Sequence, residues 1–332
     1  MKPACQHSVL PTMNVAKKII FPFLFWTLLQ DPLYAQKGFV TEAVFPEFSY
    51  LQNMRDIALD ANGTEAYFTV QSPLGERSVL VRCQKNGSRW SAPEIAPFSG
   101  SFDDMEPFLD PSGLRLYFAS NRPLDPSSVK TKDFDIWYVA RKSVQADWGK
   151  PINLGAPVNT EHDEFYPSVS TNQNVYFTCA GRGGKGKDDI FMAQWDGDRY
   201  LEPAPLDDHI NSDGYEFNAY VAPDESFLLY SAYQREDGLG SGDIYIALKT
   251  KEGAWAKALP LGPNINSEKM DYCPFMDTNN KTLYFTSKRS AISKDTKYGN
   301  LKAVLTDIEQ YENGNSRIYK VSFDPRTLRT AH

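Results

Sequence analysis

The sequence predicts an all-β fold, a five-bladed β-propeller of four-stranded blades. Three observations carry this. An aromatic or apolar pair recurs five times, at Tyr67-Phe68, Tyr117-Phe118, Tyr176-Phe177, Leu229-Tyr230 and Tyr284-Phe285, in steps of 50, 59, 53 and 55 residues. Each pair is flanked by the same neighbours, a turn before it and a short apolar strand after it. The last repeat lacks its outer strand, and the N-terminal region holds a stretch that fits there. Periods near 40–50 residues with several short strands in each mark propeller blades.

Taken in order, the chain opens with an export signal. Lys17 and Lys18 precede an apolar run, Ile19 to Leu29, too short to span a bilayer, and Ala35 supplies the small residue before a cut. Residues 1–35 are therefore expected to be a signal peptide, with Met13 an alternative start. The remaining chain is expected to be exported, periplasmic or secreted, with no membrane span once the signal is removed. Residues 37–325 are expected to form one propeller domain and 326–332 a tail.

Within each unit the turn ahead of the pair uses Asp, Pro, Asn and Gly, as in Asp60-Ala-Asn-Gly63, Asp110-Pro-Ser-Gly113, Ala222-Pro-Asp-Glu225 and Asp277-Thr-Asn-Asn280. These residues suit tight hairpins. Third strands follow at Val79 to Val81, Ile136 to Val139, Ile190 to Ala193, Ile244 to Ala247 and Ile318 to Val321. Outer segments carry Trp and Pro and run into Val158-Asn159 or Ile265-Asn266. Thr41 to Ser49 aligns with Ser91 to Ser99 at an offset of 50, so the N-terminal stretch is expected to close the last blade. Closure removes the open edges that a linear stack would leave. One insertion breaks the repeat. In residues 290–316, Leu301, Val304, Leu305, Ile308 and Tyr311 follow helical spacing, predicting an amphipathic helix from Asn300 to Glu312 packed on one face of the ring.

Aromatic residues make up 13% of the 332-residue chain, which suits sheets, and the net charge is −7. No basic tract stands out, which argues against a nucleic-acid partner. Cys83, Cys179 and Cys273 lie in or beside strands of three different repeats and are expected to be small buried hydrophobes; their spacing is no metal motif.

With Asp-Glu-Phe-Tyr-Pro (163–167), Leu-Tyr-Phe-Ala-Ser-Asn-Arg (116–122), Gly-Ser-Gly-Asp-Ile-Tyr (240–245) and Leu-Gly-Pro-Asn-Ile-Asn-Ser (261–267), the units resemble PD40 repeats, the WD40-like propeller repeats also found in TolB-type periplasmic proteins. The resemblance covers nearly all of the chain after the signal. It implies an exported binding or scaffold module whose partner is an envelope or extracellular protein, or a polysaccharide. The alternative is a carbohydrate-active enzyme, a polysaccharide lyase or glycosidase, on the same scaffold. The first repeat departs most, lacking the Asn-Arg and Asp-Ile-Tyr signatures.

Two charged columns stand out across the repeats. An acid expected just before the first strand appears as Asp104, Glu164, Glu216 and Asp271, and an Arg after the second strand as Arg122, Arg182, Arg235 and Arg289. Both loops emerge on one face, the expected binding face. Both columns fail in the first repeat, at Met54 and Ser72, which suggests that acid and Arg pair within each blade. Asp135, Asp189 and Asp243 begin the third strand and are expected to accept hydrogen bonds from loop amides. A repeated residue is not a unique catalyst, so catalysis requires something that breaks the symmetry. The catalytic candidates are His162 and His209, with Arg317 a further unrepeated residue. Gly183-Gly-Lys-Gly-Lys-Asp188-Asp-Ile190 matches one copy of a calcium nonapeptide, which makes Asp188 the metal candidate; calcium rolls need consecutive copies. No cofactor is expected.

Overall fold

A computed structural model of the chain describes residues 40–331. The expected signal peptide and its alternative start lie outside the described residues. The five blades are antiparallel sheets arranged in a ring, as the repeats predict; four strands build each blade, and the first adds a short fifth, Arg89–Trp90. The inner strands are Asn53–Leu59, Asp104–Leu109, Glu164–Val169, Glu216–Val221 and Asp271–Asp277. The second strands are Glu65–Gln71, Arg115–Ser120, Val175–Cys179, Phe227–Tyr233 and Thr282–Ser287. Each second strand lies between two neighbouring blades and is covered on both faces. That is why two adjacent residues of the pair can both be large and apolar: one packs to each side. Phe68, Phe118, Phe177, Tyr230 and Phe285 are all fully buried.

The last blade takes its outer strand, Glu42–Ala43, from the N-terminal stretch, pairing Glu42 with Lys320 and Ala43 with Tyr319. The Lys320–Glu42 ion pair at 3.1 Å and the Val44 N–H to Ile318 carbonyl bond hold this edge. In blade one Ile95 takes the place that Ala43 takes here, opposite Val81. The structural offset is thus two residues from that of the sequence alignment, and parity is kept because strand facing repeats every two residues. Phe45 and Phe48 then enter the core beside Phe68.

Loop geometry follows from repeated polar clamps. The Asn of the Val-Asn and Ile-Asn motifs holds the start of its third strand from both sides. Asn159, Asn211 and Asn266 each accept the N–H of Ile136, Ile190 or Ile244 at 2.9 Å and donate back to the same residue's carbonyl. The helix of the insertion is shorter than the sequence suggests, Leu301–Glu309, with Asn300 as its N-cap accepting from the Ala303 N–H. It also differs in packing: none of its residues is buried.

Candidate functional site: the loop face and the central channel

The two charged columns build the loop face, but they point into the protein. Asp104, Glu164, Glu216 and Asp271 are each the first residue of an inner strand, not the residue before it, and all four are fully buried. Three of them fold the loop that enters their blade, taking the hydroxyl and the N–H of the residue four positions earlier. Glu164 holds Thr160, Glu216 holds Ser212 and Asp271 holds Ser267. Asp104 accepts instead from the hydroxyls of Ser99 and Ser120.

Side-chain length decides whether the Arg is also engaged. Asp271 gives one oxygen to Ser267 and keeps the other for Arg289, at 3.0 Å; Asp104 meets Arg122 at 2.5 Å. The longer Glu216 lays both oxygens along its loop, one on the Ser212 N–H and one on its hydroxyl. Arg235 turns instead to Asp237 at 3.3 Å and to the Tyr230 hydroxyl. Glu164 is similarly occupied, and Arg182 lies 3.9 Å away while donating to the Pro157 and Val158 carbonyls. Pairing within the blade therefore forms in blades two and five, is marginal in blade three and is absent in blade four among the described residues. Burial pushes the Glu164 and Glu216 carboxyls above the usual range, against the bonds from Thr160 and Ser212.

Two of the three third-strand acids accept loop amides as expected, whereas Asp135 pairs with Lys132 at 2.7 Å and accepts the Asn153 side-chain amide at 2.7 Å. Asp189 accepts the Gly186 N–H at 2.8 Å, and Asp243 accepts those of Leu239 and Gly240 at 2.9 and 3.0 Å. This accounts for the glycines of the calcium-like stretch. A Cβ on Gly184 would meet the Asp189 carboxylate, and one on Gly186 would meet the Gly214 and Ser212 carbonyls 2.5–2.6 Å away. Gly238 and Gly240 stand in the same relation to Asp243 and to the next loop. The glycines are thus required by close approach to an acid and to backbone. Asp188 is half-buried, and its carbonyl accepts the Glu216 N–H. Among the described residues no group of three or more acids, His or Cys is placed to hold a metal ion.

His162 and His209 are not brought together. His162 lies against Gly181, with its N–H on the Thr160 hydroxyl. The exposed His209 places Nδ1 2.7 Å from the Trp255 carbonyl, in the packing between blades three and four. The described hydrogen bonds and ion pairs join neither to the channel carboxylates.

The residues that do differ from blade to blade lie two positions after the acid column. There each inner strand carries a bulge whose residue has positive φ: Asp56 at 59°, Glu106 at 60°, Tyr166 at 49°, Asn218 at 56° and Cys273 at 52°. The left-handed region is uncommon for such side chains, and bulges re-aim them. All five are buried, and their bonds meet across the channel. Arg55 fills the middle. It donates from Nε to Asp56 at 2.8 Å and from Nη2 to Glu106 at 2.7 Å, with its guanidinium 5.4 Å from the Tyr272 ring centre. The Cys273 thiol donates to Asp56 and lies 3.4 Å from the Asn218 Oδ1, and Glu106 also accepts the Tyr166 N–H at 2.8 Å. Cys273 is therefore more than a small buried hydrophobe; it ties blades one, four and five together.

One cation faces two buried carboxylates in this ring. Burial is the largest influence on Glu106, raising its carboxyl to about 7; Arg55 pulls it down and Asp56 pushes it up. Burial opposes the charge on Arg55, yet Asp56 and the other surrounding groups hold it above its ordinary value. Burial and Asp56 likewise drive the Cys273 thiol up, which keeps it protonated and a donor. Toward the opposite mouth Phe108 and Phe275 pack at an angle on either side of Tyr220 and line a cavity of about 290 Å³ that Asp60, Asp110 and Asp277 also line.

The sequence signal for this ring was present but inverted. It is the inner-strand position that fails to repeat, in MRDIAL, DMEPFL, EFYPSV, EFNAYV and DYCPFM. A search for repeated columns passes over it.

No family model matches the chain, and no relative is found among curated proteins. Solved structures do match its fold. TolB from Acinetobacter baumannii superposes over 82% of this chain at 10% identity with a TM-score of 0.44, and this chain spans 55% of its length. A putative TolB from Agrobacterium tumefaciens matches at 11% identity and a TM-score of 0.46, covering 82% of this chain and 91% of that one. The catalytic domain of a GH62 α-L-arabinofuranosidase from Coprinopsis cinerea matches at 10% identity and a TM-score of 0.50, covering 82% and 91%. At these identities the likeness concerns the fold alone. Among the described residues no helix is long and apolar enough to cross a membrane.

Proposed function

We propose that the protein is an exported propeller of the PD40 and TolB-like kind, acting as a binding or scaffold module for a protein or glycan at its loop face. The observation that carries this reading is the Arg55 clasp. The two channel carboxylates, Asp56 and Glu106, are buried and held by one guanidinium, which fills the space that a substrate needs. The repeated acids are equally committed to their loops. What the face offers a partner is its rim of half-buried aromatics, among them Phe134 packed on Phe165 and Tyr215 packed on Tyr233. Such rings suit a peptide or sugar platform.

One observation favours the second reading, a glycoside-cleaving enzyme. A buried carboxyl raised to about 7 beside a second carboxylate is the arrangement of a general acid. The test incubates the purified protein with acidic and neutral polysaccharides. It follows new reducing ends and unsaturated uronate absorbance, with retention on the same polysaccharides in parallel. The binding reading expects no product. New product that disappears in Glu106→Gln sinks it and assigns chemistry to the channel.

A further inference from the structure

The last blade, which carries the insertion, shows three features that the other blades lack. The first is Arg317. It opens the third strand opposite Ser287, the place held by Asp135, Asp189 and Asp243 in blades two to four. The charge at that place is thus reversed in this blade. Arg317 is 1% exposed, and among the described residues no carboxylate pairs with it. It donates to the carbonyls of Ser49, Leu51, Gln52 and Tyr311 and lies 5.5 Å from the Tyr311 ring centre. Burial lowers its pKa, as expected of a cation whose only compensation is dipoles. Arg317 forms part of the wall of a cleft of about 750 Å³ that also includes Tyr50, Ile292 and Ile308. Glu309 is the one acid lining this cleft, and no ion pair joins it to Arg317 among the described residues.

The second feature is the helix above the cleft. Its apolar stripe is uncovered, with Leu301 70%, Leu305 42% and Ile308 54% exposed. An amphipathic stripe that packs on nothing is unusual in a folded domain. The third feature is the arm that leads into the helix. Residues 288–302 carry Lys288, Arg289, Lys294, Lys297 and Lys302 against Asp295 alone, in a chain of net charge −7. Arg289 is held by Asp271; the four lysines are exposed, and no ion pair engages them among the described residues.

We propose that this cleft and helix form a docking site for an acidic amphipathic segment of a partner protein. The proposal rests on the binding-module reading and names the class of partner. Apolar side chains of the segment cover Leu305 and Ile308, and its carboxylates meet the exposed lysine arm. A peptide laid along an apolar groove with charges at the rim is a recurrent recognition mode. The concave shape favours a chain over a flat lipid surface. The site also breaks the fivefold repeat, which a single partner at a single place requires.

The test uses a fluorescent peptide with Glu and Leu at helical spacing, a matched peptide with Lys in place of Glu, and vesicles of phosphatidylcholine containing phosphatidylglycerol. Binding to the full protein is read by anisotropy and by flotation. The expected result is that the acidic peptide binds and the basic one does not. Affinity should fall at least ~10-fold in the combined Lys294→Glu, Lys297→Glu, Lys302→Glu variant and similarly in Leu305→Asp, Ile308→Asp. Both variants change exposed positions, and unchanged melting curves confirm that they fold. The proposal is overturned if the acidic peptide fails to bind, if the basic peptide binds equally, or if neither variant weakens binding. Vesicle binding lost in the variants without peptide binding overturns it in favour of a membrane. Product release by the same preparation on polysaccharides overturns the underlying binding-module reading; absence of both peptide binding and product overturns the docking site alone.

Discussion

Two columns of the inner strands, two residues apart, follow opposite rules. At the first position of the strand, blades two to five carry an acid, always buried and always engaged with the loop that enters the blade. At the bulge two residues later, the five blades carry Asp56, Glu106, Tyr166, Asn218 and Cys273, no two alike. The first column does the same local task in each blade and is repeated because the task is. The second column is one shared object. Asp56, Glu106 and Cys273 meet Arg55 directly, while Tyr166 joins through Glu106 and Asn218 through Cys273, so the chemistry belongs to the ring as a whole.

The sharpest way to break this contrast is Arg55→Met. Removing the cation leaves Asp56 and Glu106 buried together without compensation, and breaking such a group costs about 3–5 kcal/mol. Urea unfolding should show that loss. A cost below about 1 kcal/mol would mean that the ring is not held by charge.

Next is a comparison inside the first column. Arg122→Met removes the partner of fully buried Asp104 and should cost about 3 kcal/mol. Arg235→Met should cost only about 1 kcal/mol, because Glu216 is already satisfied by Ser212 and the Asp237 partner is exposed. Equal losses in the two variants would refute the assignment by side-chain length. The smallest effect is expected at the insertion, where Leu305→Asp changes an exposed position and should alter stability by no more than about 0.5 kcal/mol. A large loss there would mean that the stripe packs against the ring in solution.

The fold was legible because its signals are local and repeated. The aromatic pairs, the turn residues and the Asn clamps each serve a single blade, so five copies announce themselves. Closure of the last blade was also visible, because Glu42 and Ala43 do the work of Glu94 and Ile95. The loop-face charges were found by the same logic, yet their direction was not. Whether Glu216 reaches Arg235 depends on which oxygens Ser212 has already taken, and that is fixed only in three dimensions. Helical periodicity marked the insertion correctly but could not tell that Leu301, Leu305 and Ile308 face solvent; spacing reports an apolar stripe, not what covers it. The channel ring escaped because its members come from five blades and share no residue type.

The central claim is that Arg55 and the bulge residues form one buried unit in which burial holds the Glu106 carboxyl above its usual range. Melting curves of wild type and Glu106→Gln between pH 4 and pH 8 test it most directly. The folded carboxyl is raised from 4.5 to about 7. Below the ordinary value both states are protonated and the group costs nothing. As pH rises from there through about 7, the unfolded chain releases its proton first, so stability should fall by up to roughly 3 kcal/mol and then level off. Glu106→Gln should remove that fall and be the more stable protein at pH 8. Parallel curves for the two proteins, or a wild type that gains stability across this window, would contradict the account.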